Sequence, residues 1–169
     1  MKKLAGLLQR AKESKFYLWV LNQLLNRMIP FNRGHRFRIQ AIGEDSLVTR
    51  LPYITRNFNH IRGLHACALA TVSEFTTGFL LISKLDATRY RLIMQRLEMD
   101  YHYQGKMDAT ATFSATPEWL KEKVFDPLTQ QESVVIPCEI KIHDVAGNHL
   151  TTGLVYWQIK DWQKVKTKA

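Results

Sequence analysis

Between Ala66 and Ser83 the chain places a single charged side chain, Glu74, in an otherwise apolar and small-residue run. The run is too long and too uniform for a strand, and its pattern predicts a helix buried on most faces. At the N-terminus, Leu4, Leu7, Leu8 and Ala11, then Leu18, Leu21, Leu25 and Met28, recur at three- and four-residue steps. That spacing predicts an amphipathic helix, or two joined near Ser14, ending at Pro30 because proline drives its predecessor out of helical geometry. Strands are expected over Arg36 to Ile42 and Ser46 to Tyr53. From Leu97 the chain alternates, with Leu97, Met99, Tyr101 and Tyr103 facing one way and Glu98, Asp100 and His102 the other, inside a strand spanning Tyr90 to Tyr103. After the turn at 104–106, Met107 to Ala115 alternates again. Thr116-Pro117-Glu118 reads as a helix start, with a short helix to about Phe125. Two further strands, Ser133 to His143 and His149 to Asp161, flank the turn DVAGN.

The order is therefore helix, two strands, one long apolar helix, then four strands with a short helical insertion. Consecutive antiparallel strands must bury one face, and the apolar helix is the element available to bury it against. The expected class is α+β: a sheet wrapped on a central helix, with an N-terminal helical extension over 1–28 and one domain over 29–169. No internal repeat or linker divides the chain.

With 169 residues, 46% of them hydrophobic, the chain is long enough for a substantial core. Leu64 to Ser83 would also span a bilayer by length. However, it carries His65, Thr71, Ser73, Glu74, Thr76 and Thr77, and one ionisable group near the centre costs a few kcal/mol in lipid. A soluble, cytoplasmic protein is expected. The first residues are basic, but Arg10, Lys12, Glu13 and Lys15 interrupt any signal-like apolar stretch. Cys67 and Cys138 belong to no C-x-x-C pair, which predicts two free buried thiols and no structural zinc or disulfide. The formal charge of +9 points to an anionic partner. The basic residues form modest clusters at Arg33 to Arg38, Arg89 to Arg96 and Lys160 to Lys168, without a stripe suited to nucleic acid. Packing over a sheet or against a partner is the first role expected of the N-terminal helix, and contact with a membrane surface through its basic face the second.

The chemistry concentrates around the long helix. If it starts near His65, its first backbone N–H groups are unpaired and point outward, making a place for an anion or a developing oxyanion. Asn59 and His65 stand just before that end and can orient a carbonyl. Glu74 lies nine residues after His65, about 13 Å further along the axis and roughly half a turn away. It cannot act on a carbonyl held at its own helix's N-terminus. The two halves meet only if a second copy of the helix runs antiparallel beside the first, so that a homodimer builds two composite sites.

Asn59, His65 and Glu74, at spacings of six and nine, resemble the signature N-x-x-G-x-x-H-G-G followed by an acid, seen in hotdog-fold acyl-CoA thioesterases of the phenylacetate-pathway type. The stretches IPFNRGHRFRI, NHIRGLHACALATVSE and YRLIMQRLEMDYHYQGKM are similar to the hotdog group described as DUF4442, over roughly residues 28 to 160. The resemblance implies a curved antiparallel sheet around a long central helix, in a homodimer or a dimer of dimers. It implies a thioester carbonyl held at the Ala66 N–H and polarised by Asn59, with His65 positioning the helix end. Glu74 of the other subunit would be general base or nucleophile. No cofactor is implied, coenzyme A being part of an acyl-CoA or acyl-carrier substrate, and no metal. Arg62, Arg96 and Lys106 are candidates for the coenzyme A phosphates.

The chain departs from that signature at several positions. Arg62 stands where the motif's first glycine is expected, with Gly63 one step later. Ala66 and Cys67 replace the two glycines after the histidine, and the acid is Glu rather than Asp. A hydroxyl that some relatives carry at the next strand would fall near Arg96. These departures motivate an alternative reading, a non-catalytic acyl-CoA or lipid-binding protein on the same fold. The residues also leave other roles open. Glu74 could pair structurally with Arg96 or a hydroxyl, Asn59 could be a turn residue, and Cys67 could be a nucleophile near the helix N-terminus.

Overall fold

A computed structural model describes residues 2–164, with side chains from Gly6 onward. Leu4 of the predicted amphipathic pattern, and Lys166 and Lys168 of the last basic cluster, lie outside the described side chains. The N-terminal segment is two helices, α1 (Lys2–Glu13) and α2 (Lys15–Met28), separated at Ser14, whose φ of −127° and ψ of 120° are extended rather than helical. Pro30 then opens a one-turn helix, α3 (Pro30–Arg33), where its missing N–H leaves no bond unmade.

Strands β1 (Arg38–Ile42) and β2 (Ser46–Leu51) precede the long helix α4 (Ala66–Lys84). Strands β3 (Tyr90–Tyr101) and β4 (Ala109–Ser114) follow it. A helical insertion runs from α5 (Pro117–Leu120) to α6 (Asp126–Gln130), and β5 (Ser133–Asp144) and β6 (His149–Asp161) complete the chain. The insertion extends beyond Phe125, where the sequence pattern predicted its end. It widens to a π turn over Lys121–Phe125, immediately ahead of Pro127, which has no N–H to continue the tighter ladder.

All six strands form one antiparallel sheet in the order β1-β2-β4-β5-β6-β3. The sheet curves around α4, and this is the hotdog fold that the resemblance implies. The register sets Leu97, Met99 and Tyr101 opposite Val155, Gly153 and Thr151, all on the inner face, as the alternation predicted.

α4 passes the length and composition test for a bilayer span, yet most of it is buried inside this sheet. Its buried side includes Leu69, Val72, Phe75, Phe79, Leu80 and Leu81. Each such side chain contributes about 1.5–3 kcal/mol on leaving water. The hydroxyls along the same helix do not oppose burial. Ser73, Thr76 and Thr77 donate to the carbonyls of Leu69, Val72 and Ser73, four residues back. Gly78 lets the helix lie against Trp157 of β6. A Cβ there would stand 2.5 Å from the indole, and Trp157 Nε1 donates to Thr77 Oγ1 at 3.0 Å.

The two edges of the sheet are treated differently. Along β1, the Asn22 side chain of α2 accepts from the Ile39 N–H at 2.8 Å and donates to the Ile39 carbonyl at 3.0 Å, so the helix covers that edge. β3, at the other end, has no neighbour on its outer side among the described residues, and carries the exposed apolar side chains Ile93 and Met94.

Candidate active site

The loop before α4 is built on two asparagines. Asn57 is fully buried. Its Nδ2 donates to the carbonyls of His35 and Pro52, and its Oδ1 lies 2.9 Å from His35 Nδ1. Its own carbonyl accepts the His65 N–H at 2.7 Å. This fixes the entry to α4 against the segment that leads into β1.

Asn59 closes the intervening loop. Its Oδ1 accepts from the Gly63 N–H at 2.8 Å and the Ile61 N–H at 3.1 Å. Two donors on one oxygen settle the amide's orientation and leave Nδ2, among the described residues, without a hydrogen-bond partner. Arg62, within this loop, has φ of 56°. That left-handed conformation suits glycine, and the residue expected there from the family signature is glycine. Its carbonyl accepts from the Tyr53 hydroxyl at 2.5 Å, which pins the turn from outside.

His65 is the N-cap of α4, extended at φ −68° and ψ 137°, and its Nδ1 accepts from the Cys67 N–H at 3.1 Å. An accepting Nδ1 places the imidazole proton on Nε2. The ring thereby satisfies one of the orphan donors of the first turn. The Ala66 N–H has no acceptor among the described residues. Ala66 lines a cleft of about 320 Å³, together with Asn59, Leu64, Leu69 and Tyr101. Asn59 and Ala66 thus share one cleft, and His65 caps the helix that begins at Ala66.

Glu74 is elsewhere. It sits two helical turns further along α4, about 12 Å from Ala66 along the axis. The open face of the helix carries Cys67, Ala70, Thr71 and Glu74. The carboxylate is half-buried, and burial pushes its pKa up. Among the described residues it has no hydrogen-bond or ion-pair partner. Arg96, which could have paired with it, instead forms an ion pair with Glu98 and lies 5.4 Å from the Tyr156 ring centroid. Arg62 and Lys106 are exposed, as is Arg96.

The expectation of two buried thiols needs correction. Both cysteines are free, but only Cys138 is buried, its pKa pushed up to about 12 by burial. Cys67 is exposed, because the second position of α4 falls on the helix's open face and not on the face against the sheet. Among the described residues no three His, Cys, Asp or Glu side chains come together so as to hold a metal ion.

The sequence reading missed Asn57 and Tyr101. The Tyr101 hydroxyl donates to the Ala66 carbonyl at 3.1 Å from the end of β3. Its inward face was legible in the alternation, but its arrival at the helix end was not.

Solved structures with the same fold include PA5026 of Pseudomonas aeruginosa, described as a "Protein of Unknown Function" and "Probable Thioesterase". It superposes at TM-score 0.76 with 19% identity, over 83% of this chain and 93% of that one. Thioesterase HI1161 of Haemophilus influenzae superposes at TM-score 0.68 with 15% identity, over 88% and 94%. A variant of the Staphylococcus aureus thioesterase SAV0944 superposes at TM-score 0.63 with 15% identity, over 78% and 98%. A search of curated protein sequences found no match. The model of the family described as "Domain of unknown function (DUF4442)" matches residues 18–160, and the chain belongs to that family.

Proposed function

We propose that the protein is a thioester hydrolase acting on acyl-CoA or acyl-carrier substrates, with its sites shared between two subunits. The observation that carries this reading is the separation on α4. Ala66 and Asn59, whose N–H and Nδ2 have no partner among the described residues, line one cleft, while a carboxylate equally without a partner there, its pKa raised by burial, stands about 12 Å along the helix axis. An antiparallel pair of α4 helices brings the carboxylate of each to the cleft of the other. The uncovered β3 edge, with Ile93 and Met94 exposed, offers the pairing surface for such a two-fold dimer. Solved structures that share the fold are named thioesterases, which supports thioester hydrolysis as the general activity.

In this reading the thioester carbonyl oxygen lies against the Ala66 N–H and Asn59 Nδ2. Glu74 of the other subunit takes a proton from water as the hydroxide attacks the carbonyl carbon. The negative charge that develops on the oxygen is met by donors already in place. Collapse breaks the carbon–sulfur bond, and the proton held by Glu74 passes to the departing sulfur, releasing the acid and the thiol. Desolvation raises the basicity of the carboxylate toward the range useful for this step.

Hydrolysis of short, medium, long and aromatic acyl-CoAs by wild type and Glu74→Ala tests the proposal. The expected loss is at least about a hundredfold in Glu74→Ala. A wild-type protein that hydrolyses none of them overturns it. The side chains of Ala66 and Cys67 at the helix end favour the alternative, an acyl-CoA or lipid-binding protein, which calorimetric binding without turnover would select.

A further inference from the structure

A second concavity, of about 890 Å³, lies by the β1 edge, with Arg27, Arg33, Arg36, Arg38 and Arg56 in its lining alongside Gln23. No carboxylate lines it, and among the described residues none of the five arginines is ion-paired. Arg38 faces another cation across the strand pair, Arg50, whose own charge is taken by Asp108. Arg36 is held at φ of 55°. The flanking residues pin it there, His35 through Asn57 and Phe37 by burial. Five like charges thus converge without relief, one of them on a strained backbone, an arrangement that an anionic partner stabilises. The cluster expected at Arg33 to Arg38 supplies three of these arginines. Nine basic and one acidic residue among the first 38 leave +8 of the formal +9 there, and folding adds Arg56 to the same basin.

The surroundings of the basin are apolar as well as cationic. Phe16, Trp19, Gln23 and Arg27 follow one another at three- and four-residue steps, so the aromatic pair and the basin share the outer face of α2. Phe16 and Trp19 stack with centroids 6.2 Å apart and are 64% and 57% exposed, and Phe31 of α3 is 70% exposed. Inorganic phosphate would engage the arginines alone. Exposed tryptophan and phenylalanine beside arginines are what a lipid–water interface engages, rings at the headgroup level and guanidinium groups on phosphate.

We infer that the outer face of α2 with the arginine basin docks the protein on an anionic phospholipid surface. This face lies at the opposite sheet edge from β3, and the inference stands whether or not the thioesterase reading holds.

Flotation of the full chain with phosphatidylcholine vesicles, with and without one-third phosphatidylglycerol, tests it. Binding is expected only to the anionic vesicles at about 0.1 M salt, and should weaken steeply by about 0.5 M. Arg27→Glu with Arg33→Glu should weaken it at least about tenfold. Arg36→Gly removes one charge while suiting the left-handed backbone, so it keeps the fold; it should weaken binding about fivefold. Phe16→Ser with Trp19→Ser should weaken it about fivefold or more. Absence of wild-type binding overturns the inference. So does binding that is insensitive to the aromatic substitutions, or binding to duplex DNA as tight as to the vesicles, because either result marks a general polyanion site.

Discussion

The Tyr101 hydroxyl donates to the carbonyl of Ala66 at 3.1 Å, fixing the last residue of β3 to the first residue of α4. Burial, and then the nearby Cys67, push the phenol pKa up, which keeps it a neutral donor. The residue whose N–H is proposed to meet the oxyanion is thereby held through its carbonyl by β3. Tyr101→Phe should lower kcat/KM for thioester hydrolysis about 3- to 10-fold, the worth of one hydrogen bond, and change stability by less than about 1 kcal/mol. Steady-state kinetics beside thermal denaturation checks this, and an unchanged kcat/KM removes Tyr101 from the site.

Glu74 should oppose stability where it ionises. Its folded pKa is raised by burial, so the neutral form suits the fold and the charged form does not. Its contribution to stability is fully present below the unfolded value of about 4.3 and is lost as pH rises through the raised folded value. Glu74→Gln should therefore melt higher than wild type at neutral pH, with the two curves converging near pH 4. A variant that melts lower at neutral pH would mean that the carboxylate has a stabilising partner.

Arg62 holds a left-handed backbone at φ 56° within the Asn59 loop. That conformation costs a side-chain-bearing residue about 1–2 kcal/mol, and glycine gives back part of the gain through the freedom it loses on folding. Arg62→Gly should stabilise the protein by about 0.5–1 kcal/mol in denaturant titrations. The Tyr53 bond goes to the backbone carbonyl and survives the change. Destabilisation would show that the arginine side chain holds the loop by other means.

Three imidazoles meet where β3, β5 and β6 adjoin. The His149 ring centroid is 4.5 Å from His102 and 4.9 Å from His143. Desolvation, then His102 and His143, lower the His149 pKa below the ordinary histidine value, against the hydrogen bond to the Thr151 carbonyl. Its neutral form suits the fold, so stability is present above about pH 6.5 and falls as pH drops toward the lowered folded value. The melting temperature should decline as pH falls below about 6.5, and decline less in His102→Gln with His143→Gln. An equal decline in both proteins would remove this cluster as the cause.

Most of the fold was legible because its signals are local. The apolar run with one acid, the alternation from Leu97, the break at Ser14 and the cap at Thr116 each depend on a few neighbouring residues and the period of the backbone they adopt. The candidate site was legible only as spacing. Asn59, His65 and Glu74 could be placed along one helix and its entry, and helix geometry alone separates the acid from the helix end by about 13 Å. Neither Asn57 against His35 nor Tyr101 against Ala66 could be found that way, because each contact joins segments far apart in the sequence. The exposure of Cys67 likewise depended on which face α4 turns to the strands. The cluster at Arg33 to Arg38 was legible, but its union with Arg27 and Arg56 was not, for the same reason. Arginines from α2, α3, β1 and the loop before α4 look dispersed along the chain, and become one basin when α2 covers the β1 edge through Asn22. Local periodicity sets the elements; long-range packing sets which of their side chains meet.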